Sequence, residues 1–174
     1  MVNEVKSEYW PMGVTEFQWL SPLGYISVWS SEETVCRITF HEGDPEYIAK
    51  PYHALAREVI RQLNAYFIGK LQTFNLPLLT EGTVFQKKVW DAVCRIPYGR
   101  VASYSELGRE IGRPDAIRAV AGAIGSNPLL IVIPCHRVVG SSGRLTGYAG
   151  GIERKRKLIE LERQFVVSIK STLF

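Results

Sequence analysis

A cysteine followed directly by a histidine, Cys135-His136, is the pair in this chain best suited to covalent chemistry. Cysteine reacts as its thiolate, and a neighbouring imidazole is a common means of generating a thiolate near neutral pH. Because Pro134 lacks an amide hydrogen and restricts the residue before it, the strand-like run Ile131-Val132-Ile133 is expected to end in a turn at the cysteine. The alternative to a nucleophile is a buried, inert cysteine beside a surface histidine.

Composition bounds the class of protein. The chain has 174 residues, 46% of them hydrophobic, and a net charge of +4, which indicates a globular, mildly basic protein compatible with a polyanionic partner. Its three cysteines show no Cys-x-x-Cys spacing, which argues against a disulfide framework and a four-cysteine zinc site. Met1–Trp10 lacks the apolar core of a secretion signal, and no stretch is long enough to cross a membrane. We therefore expect a cytoplasmic, nucleoid-associated protein.

The first half, residues 1–80, is predicted to be an α/β scaffold. Two apolar segments, 17–20 and 25–29, flank a turn-like group and suggest a hairpin, and 35–40 alternates as a third strand. Apolar residues at helical spacing follow from Tyr52 to Gly69, and an extended connector is predicted over residues 71–79. Cys36 is expected in the core. A metal site formed by Cys36, His41 and His53 is the alternative that we disfavour because its spacing is irregular.

The second half, residues 81–174, is predicted to be mostly helical. Capping boxes at Thr83/Gln86 and Ser103/Glu106 mark two helix starts, and Cys94 near the end of the first of these helices is expected to pack. A further helix is predicted from about Ala116 to Asn127-Pro128. The two short helices around a glycine-containing turn form a helix-turn-helix candidate, although an ordinary helical hairpin is equally compatible with the pattern.

Two charged residues on the later helices each suggest an interaction partner. Arg118 lies among alanines and glycines, which suits a crowded DNA surface. The last helix, predicted over about 151–163, carries the basic run 154–157, which is expected to be mostly solvated. Glu162 falls on the apolar side of this helix, so its carboxylate needs a partner, and an imidazole is a natural one. The glycine-rich loop before this helix could wrap a flat ligand with Tyr148 as a wall, or it could be a flexible surface loop.

Residues 82–162 resemble the O6-alkylguanine-DNA alkyltransferases in motif order and spacing. The first half is similar only in general layout, which in that family is a ribonuclease H-like small antiparallel sheet plus helix. The second half would be a winged-helix-like domain. The matching segments are Phe85-Gln86-x-x-Val89-Trp90, Ile96-Pro97-x-Gly99, Ser103-Tyr104, Arg118-Ala119-Val120, Asn127-Pro128, Ile133-Pro134-Cys135-His136-Arg137-Val138 and Gly147-Tyr148.

The resemblance implies a role for each matching residue. Cys135 would accept the alkyl group, His136 would take its proton through a water, and Glu162 would orient that histidine. Tyr104 would rotate the target phosphate and protonate the leaving guanine, and Asn127 would tie the helix-turn-helix to the active-site loop. The remaining assignments are DNA contacts at Arg118, Tyr104, Ser105, Arg113 and Ser141, and pocket walls at Tyr148, Ala149, Val138 and Leu130.

The implied function is direct-reversal DNA repair, the single-turnover transfer of an alkyl group from guanine O6, and possibly from thymine O4, in double-stranded DNA to Cys135. The nucleotide must be extruded from the duplex for sulfur to reach it. No metal or cofactor is expected, and the protein is expected to act as a monomer. Two positions depart from the family: Leu130 replaces a proline found in some members, and Arg163 replaces a common glycine. The rival classes are a non-catalytic lesion-recognition module, a helix-turn-helix regulator and a Cys-His hydrolase.

Overall fold

A computed structural model describes residues 10–44 and 51–172, with side chains described up to Val167 in the last helix. The prediction on the first ten residues therefore falls, up to residue 9, outside the described part. The elements in chain order are β1 (Thr15–Ser21), β2 (Gly24–Ser30), β3 (Val35–Phe40), α1 (Ala54–Phe67), α2 (Val84–Cys94), β4 (Ala102–Ser103), α3 (Tyr104–Glu110), α4 (Ile117–Gly125), a 3-10 turn (Cys135–Arg137), β5 (Val138–Val139) and α5 (Ile152–Thr172).

The amino-terminal half is a three-stranded antiparallel sheet with α1 packed on it. The strand order is β1-β2-β3, and the predicted hairpin turns at Pro22-Leu23, where Gly24 has a φ of 106°. In β3 the predicted alternation is confirmed, with Cys36 in the core. His53 is a satisfied histidine, because its Nδ1 accepts the Ala56 amide at the start of α1 and its Nε2 lies 3.3 Å from the Ser30 hydroxyl.

Strand β3 also joins the two halves. The predicted connector runs beside it, with the Val35 amide donating to Pro77 O and the Leu79 amide donating to Val35 O, both at 2.9 Å. The segment that precedes Cys135 also runs beside β3, near the end of that strand. The Ile38 amide donates to Pro128 O and the Leu130 amide donates to Ile38 O. The backbone that carries Cys135 is thus anchored to the amino-terminal sheet.

The carboxyl-terminal half is mostly helical, as predicted. Both capping boxes are confirmed, with Thr83 and Ser103 accepting the backbone amides of Gln86 and Glu106. Helices α3 and α4 follow each other around a turn at Gly112, whose φ is 73°. The short strands β4 and β5 pair in parallel beside them.

The run 131–133 is not a strand, so that prediction is wrong. Leu130 and Ile133 form an isolated bridge across a turn in which Ile131 has a φ of 72°. For a β-branched residue this left-handed conformation is strained, and the surrounding core, in which Ile131 is 1% exposed, holds it in place. The predicted turn at the cysteine is confirmed as the 3-10 turn that Pro134 precedes.

Three further predictions require correction. Helix α5 continues nine residues past Arg163 to Thr172, since arginine sustains a helix where glycine would end it. Lys155, in the run expected to be solvated, is 0% exposed. Cys94 is exposed, because the last turn of α2 presents it to solvent.

Two findings concern classes of site. Within the described residues, no group of three or more His, Cys, Asp and Glu side chains is placed to hold a metal ion. No helix in the same part of the chain is both long and apolar enough to cross a bilayer.

Candidate active site

Cys135 opens the 3-10 turn and lines a cavity of about 460 Å³. The residue is 3% exposed, so its thiol lies at the floor of this cavity rather than on the surface. One wall comes from α3 and α4 and the other from the loop before α5. The lining residues are Tyr104, Ala121, Ile124, Gly125, Cys135, Thr146, Gly147, Tyr148 and Ala149.

Asn127 fixes the thiol from the end of α4. Its Nδ2 donates to Cys135 Sγ at 3.0 Å and to Ile133 O at 2.9 Å, and its Oδ1 accepts the Leu129 amide at 2.9 Å. All three contacts are buried, so the side chain holds the cysteine turn against α4. This arrangement agrees with the tie that the resemblance implies.

His136 and Glu162 form a buried pair behind the thiol. Nε2 of His136 lies 2.7 Å from Oε1 of Glu162, and the two side chains are 0% and 1% exposed. A carboxylate only accepts hydrogen bonds, so Nε2 carries the proton and Nδ1 is left as an acceptor. Nδ1 is buried and has no hydrogen-bond partner within the described part of the chain. The histidine therefore presents one free basic nitrogen.

Glu162 has three other groups of donors. Arg137 donates from Nε to Oε2 at 2.9 Å and from a terminal nitrogen to Oε1 at 3.0 Å, and it also donates to Ile96 O. The Gly99 amide donates to Oε2 at 2.9 Å, and the Tyr66 hydroxyl donates to Oε1 at 2.8 Å. The charge of this carboxylate is stabilised from several segments at once.

The pKa values follow from burial and from these contacts. Burial raises the pKa of Cys135 to about 11, against the opposing effects of the Asn127 hydrogen bond and the Lys155 charge. Burial lowers the pKa of His136, which keeps the imidazole neutral. Burial alone would raise the pKa of Glu162, but the hydrogen bonds and charges of His136 and Arg137 outweigh it and lower the pKa to about 2. The resting state is thus a thiol, a neutral imidazole and a carboxylate.

Lys155 is a site residue that sequence reasoning missed. Its ammonium donates to the carbonyls of Thr146 and Gly147 at 2.6 and 3.1 Å and so fixes the loop that carries Tyr148. Burial lowers the pKa of Lys155 to about 8. The available signal was its spacing of seven residues from Glu162, which places both on one helix face.

Comparisons with known proteins point to the same family in both halves of the chain. Family models for 6-O-methylguanine DNA methyltransferase match as its ribonuclease-like domain over residues 19–80 and as its DNA binding domain over 84–164. A methylated-DNA–protein-cysteine methyltransferase from Methanosarcina barkeri is 47% identical over 147 residues, which are 82% of this chain and 92% of that protein. The protein of the same name from Haemophilus influenzae is 40% identical over 148 residues, 82% and 83% of the two chains.

The chain belongs to the methylated-DNA–protein-cysteine methyltransferase family. The solved structures agree with this assignment. The Mycobacterium tuberculosis OGT in complex with DNA superposes with a TM-score of 0.77 at 42% identity, over 85% of this chain and 92% of that one. The O6-methylguanine-DNA methyltransferase of Pyrococcus kodakaraensis superposes with a TM-score of 0.53 at 25% identity, over 86% and 97% of the chains.

The structure brings together most of the site residues that the methyltransferase resemblance assigns. Cys135, Tyr104, Tyr148 and Ala149 line the cavity, and Asn127, His136 and Glu162 lie directly behind the thiol. Leu130 and Val138 do not line it. Leu130 is 1% exposed and is bonded to β3, and Val138 is 0% exposed within β5, so both face the core. The α4 residues Ala121, Ile124 and Gly125 take their place in the cavity wall.

Apart from Tyr104, which lines the cavity, the residues assigned to DNA contacts lie on two parts of the surface. Arg118 and Arg113 are exposed on α4 and on the preceding turn, and the Arg113 guanidinium stands 6.0 Å from the Phe85 ring centre. Ser105 and Ser141 line a common groove beside β5. Their contacts with DNA remain predictions.

Proposed function

We propose that this protein is a methylated-DNA–protein-cysteine methyltransferase that moves an alkyl group from O6 of guanine onto Sγ of Cys135. The observation that carries this function is a thiol on the floor of a cavity, backed by an imidazole whose free nitrogen is set by a buried carboxylate. The names of its close relatives and the DNA-bound state of the Mycobacterium tuberculosis structure support it.

The chemistry balances on residues of this chain. The thiol proton passes to Nδ1 of His136 through an intervening water, and Glu162 stabilises the imidazolium that forms. The thiolate attacks the alkyl carbon, the new S–C bond replaces the C–O6 bond, and the guanine leaves with a proton from the Tyr104 hydroxyl. The proton held by the imidazolium then returns through solvent to the Tyr104 oxygen, so that both residues end neutral. The product is a thioether that no group of the site could hydrolyse. Each molecule therefore acts once.

The alkylated guanine would enter the cavity after its nucleotide is extruded from the duplex. An alkyl group on O6 lies inside the duplex, so in-line attack needs the nucleotide outside the stack, at a cost of a few kcal/mol. Arg118, exposed on α4, is proposed to fill the gap. Residues 1–80 would serve as one domain and 81–174 as the DNA-binding and acceptor domain. We also propose a monomer that works in the cytoplasm on the nucleoid.

Mass spectrometry after incubation with duplex DNA containing O6-methylguanine tests the function. We expect one added methyl group on the peptide that contains Cys135, and none in Cys135→Ala. The matched control is Cys94→Ala, which removes an exposed thiol outside the cavity and should leave the methyl transfer intact.

The rival classes give different results in the same experiment. An unmodified Cys135 peptide with bound DNA would indicate a recognition module or a helix-turn-helix regulator. Released product in excess of protein would indicate a hydrolase. Either result would contradict the proposal.

A further inference from the structure

Tyr66, in the amino-terminal half, reaches the catalytic pair. It lies in the last turns of α1, is 0% exposed, and donates its hydroxyl to Oε1 of Glu162 at 2.8 Å across 96 positions of sequence. The same oxygen atom of Tyr66 is 3.4 Å from Nε2 of His136. A single hydroxyl thus touches both members of the pair.

The tyrosine ring is held in place by other rings. The ring centroids of Phe67, Phe74 and Tyr98 lie 5.4, 5.5 and 5.9 Å from the ring centroid of Tyr66. The rings of Phe67 and Tyr98 pack edge-on against the Tyr66 ring. Rings packed on several sides leave the side chain little rotational freedom. The position of its hydroxyl is therefore fixed by the packing of the amino-terminal half.

The direction of the hydrogen bond gives the hydroxyl a chemical effect. Oε1 of Glu162 receives the Tyr66 hydroxyl at 2.8 Å and the Nε2–H of His136 at 2.7 Å, and Arg137 donates to the same oxygen at longer distances of 3.0 and 3.2 Å. Donors on one oxygen share its electron density, so the short hydrogen bond from the tyrosine weakens the attraction of Glu162 for the histidine proton. It also restricts the directions from which the imidazole can approach.

We propose that Tyr66 is a positioning residue for alkyl transfer, which fixes Oε1 of Glu162 and thereby sets the orientation and basicity of His136. This inference rests on the proposed function. It gives the amino-terminal half, predicted from sequence to be scaffold alone, a part in the reaction.

Burial lowers the pKa of His136, and the groups around it act in both directions. The ring of Tyr148 meets it edge-on at 6.4 Å, and the positive charges of Arg137 and Lys155 oppose protonation. Glu162 favours protonation. The titratable and charged groups of the described residues that face His136 or adjoin it are Tyr66 from α1, Cys135 and Arg137 from its own turn, Tyr148 from the loop, and Lys155 and Glu162 from α5. Tyr98, from the turn after α2, packs on the ring of Tyr66.

The test compares wild type with Tyr66→Phe in single-turnover methyl transfer across pH. His136 must be neutral to accept the thiol proton, so the rate falls on the acid side as the imidazole becomes protonated. Without the hydroxyl, Glu162 attracts the histidine proton more strongly and the pKa of His136 rises. We expect the acid limb, which is the part of the pH–rate profile where the rate falls with decreasing pH, to move to higher pH. The rate at pH 7 should fall roughly tenfold, the effect of one lost hydrogen bond to a charged group.

The matched control is Tyr98→Phe. The Tyr98 hydroxyl is buried beside the same cluster but has no hydrogen-bond partner in the described residues, so its removal should leave the acid limb unmoved. A 4-aminophenylalanine at position 66 restores a donor and should return the limb towards its wild-type position. This variant also keeps the comparison possible if Tyr66→Phe folds poorly.

The outcomes separate this inference from the proposed function. If wild type transfers methyl groups and Tyr66→Phe shows an unmoved acid limb, the positioning role is wrong, whether or not the rate falls. If wild type transfers none, the proposed function fails, and nitrogen-15 spectra of the histidine rings decide the role of Tyr66. A downfield shift of the His136 Nε2 proton in Tyr66→Phe supports it, and unchanged ring signals overturn it.

Discussion

At the scale of single residues, Glu162 is the most densely hydrogen-bonded group described. It is 1% exposed, yet Arg137, Gly99, Tyr66 and His136 all donate to it. Sequence reasoning predicted that this carboxylate needs a partner and named an imidazole. It could not name the other three, because they come from segments that only the folded chain brings together.

The ionised state of Glu162 makes a prediction for stability against pH. Its pKa is lowered from 4.5 to about 2, so the folded protein favours the carboxylate, and this stabilisation is present above pH 4.5 and lost as the pH falls towards 2. Wild type should be more stable than Glu162→Gln at neutral pH, and the gap should narrow by roughly 3 kcal/mol over that window. Denaturant unfolding at a series of pH values measures it.

The control for this titration is Glu160→Gln, which removes an exposed carboxylate paired with Arg156 on the same helix. A surface pair contributes little to stability, so this variant should follow wild type throughout. A constant gap between wild type and Glu162→Gln would show that the pKa of Glu162 is the same in the folded and unfolded protein, which would contradict the prediction.

At the scale of elements, α5 connects the active site to both halves. It carries Lys155 under the loop and Glu162 behind His136, and its extension packs on turns that follow α1 and α2. A side chain at Gly69 would collide with the ring of Phe165, and one at Gly99 would lie 2.7 Å from Val166 Cγ2. The extension therefore holds the turn whose amide binds Glu162.

Gly99→Ala tests this contact. Gly99 has a φ of 74°, and the added methyl group would meet Val166. The left-handed backbone should cost about 1–2 kcal/mol and the overlap about 1–3 kcal/mol more in unfolding free energy. The measurement is chemical denaturation together with the rate of methyl transfer, which should fall as the Gly99 amide leaves Glu162.

Gly112→Ala is the matched control, because Gly112 has a φ of 73° and no atom of the described residues lies within 4 Å of the added carbon. It should show the backbone cost alone. In Gly99→Ala, a second change Val166→Ala should recover part of the lost stability. Equal losses in the two glycine variants would mean that α5 exerts no hold on this turn.

The elements also show how far the sequence predicts the fold. The capping boxes at Thr83 and Ser103 depend on residues three positions apart, so they could be predicted. The run 131–133 could not, because the pairing of its neighbour Leu130 with β3 bends the chain at Ile131. The burial of Lys155 likewise depends on carbonyls of a loop whose path the sequence does not reveal.

At the scale of the whole molecule, the family assignment predicts that DNA binding and chemistry can be separated. Arg118 is exposed on α4, whereas the cavity thiol is 3% exposed. Arg118→Ala should therefore slow repair of O6-methylguanine in duplex DNA by roughly tenfold or more while changing the reaction with free O6-benzylguanine less, since the free base needs no extrusion. Single-turnover rates on both substrates measure this difference.

Arg61→Ala removes the same charge from α1, where Arg61 pairs with Glu58, and serves as the control. It should leave the ratio of the two rates unchanged. Equal losses on both substrates in Arg118→Ala would count against extrusion by this arginine.

The seven-residue interval between Lys155 and Glu162 is two turns of α5. One alanine inserted between them would rotate the carboxylate by about 100° around the helix axis, away from the imidazole, while the lysine stayed on its carbonyls. The spacing of Lys155 and Glu162 along this helix is thus as important for the active site as the identity of the two residues. Relatives that differ in length within this interval by one or two residues would have to rebuild the proton path from another direction.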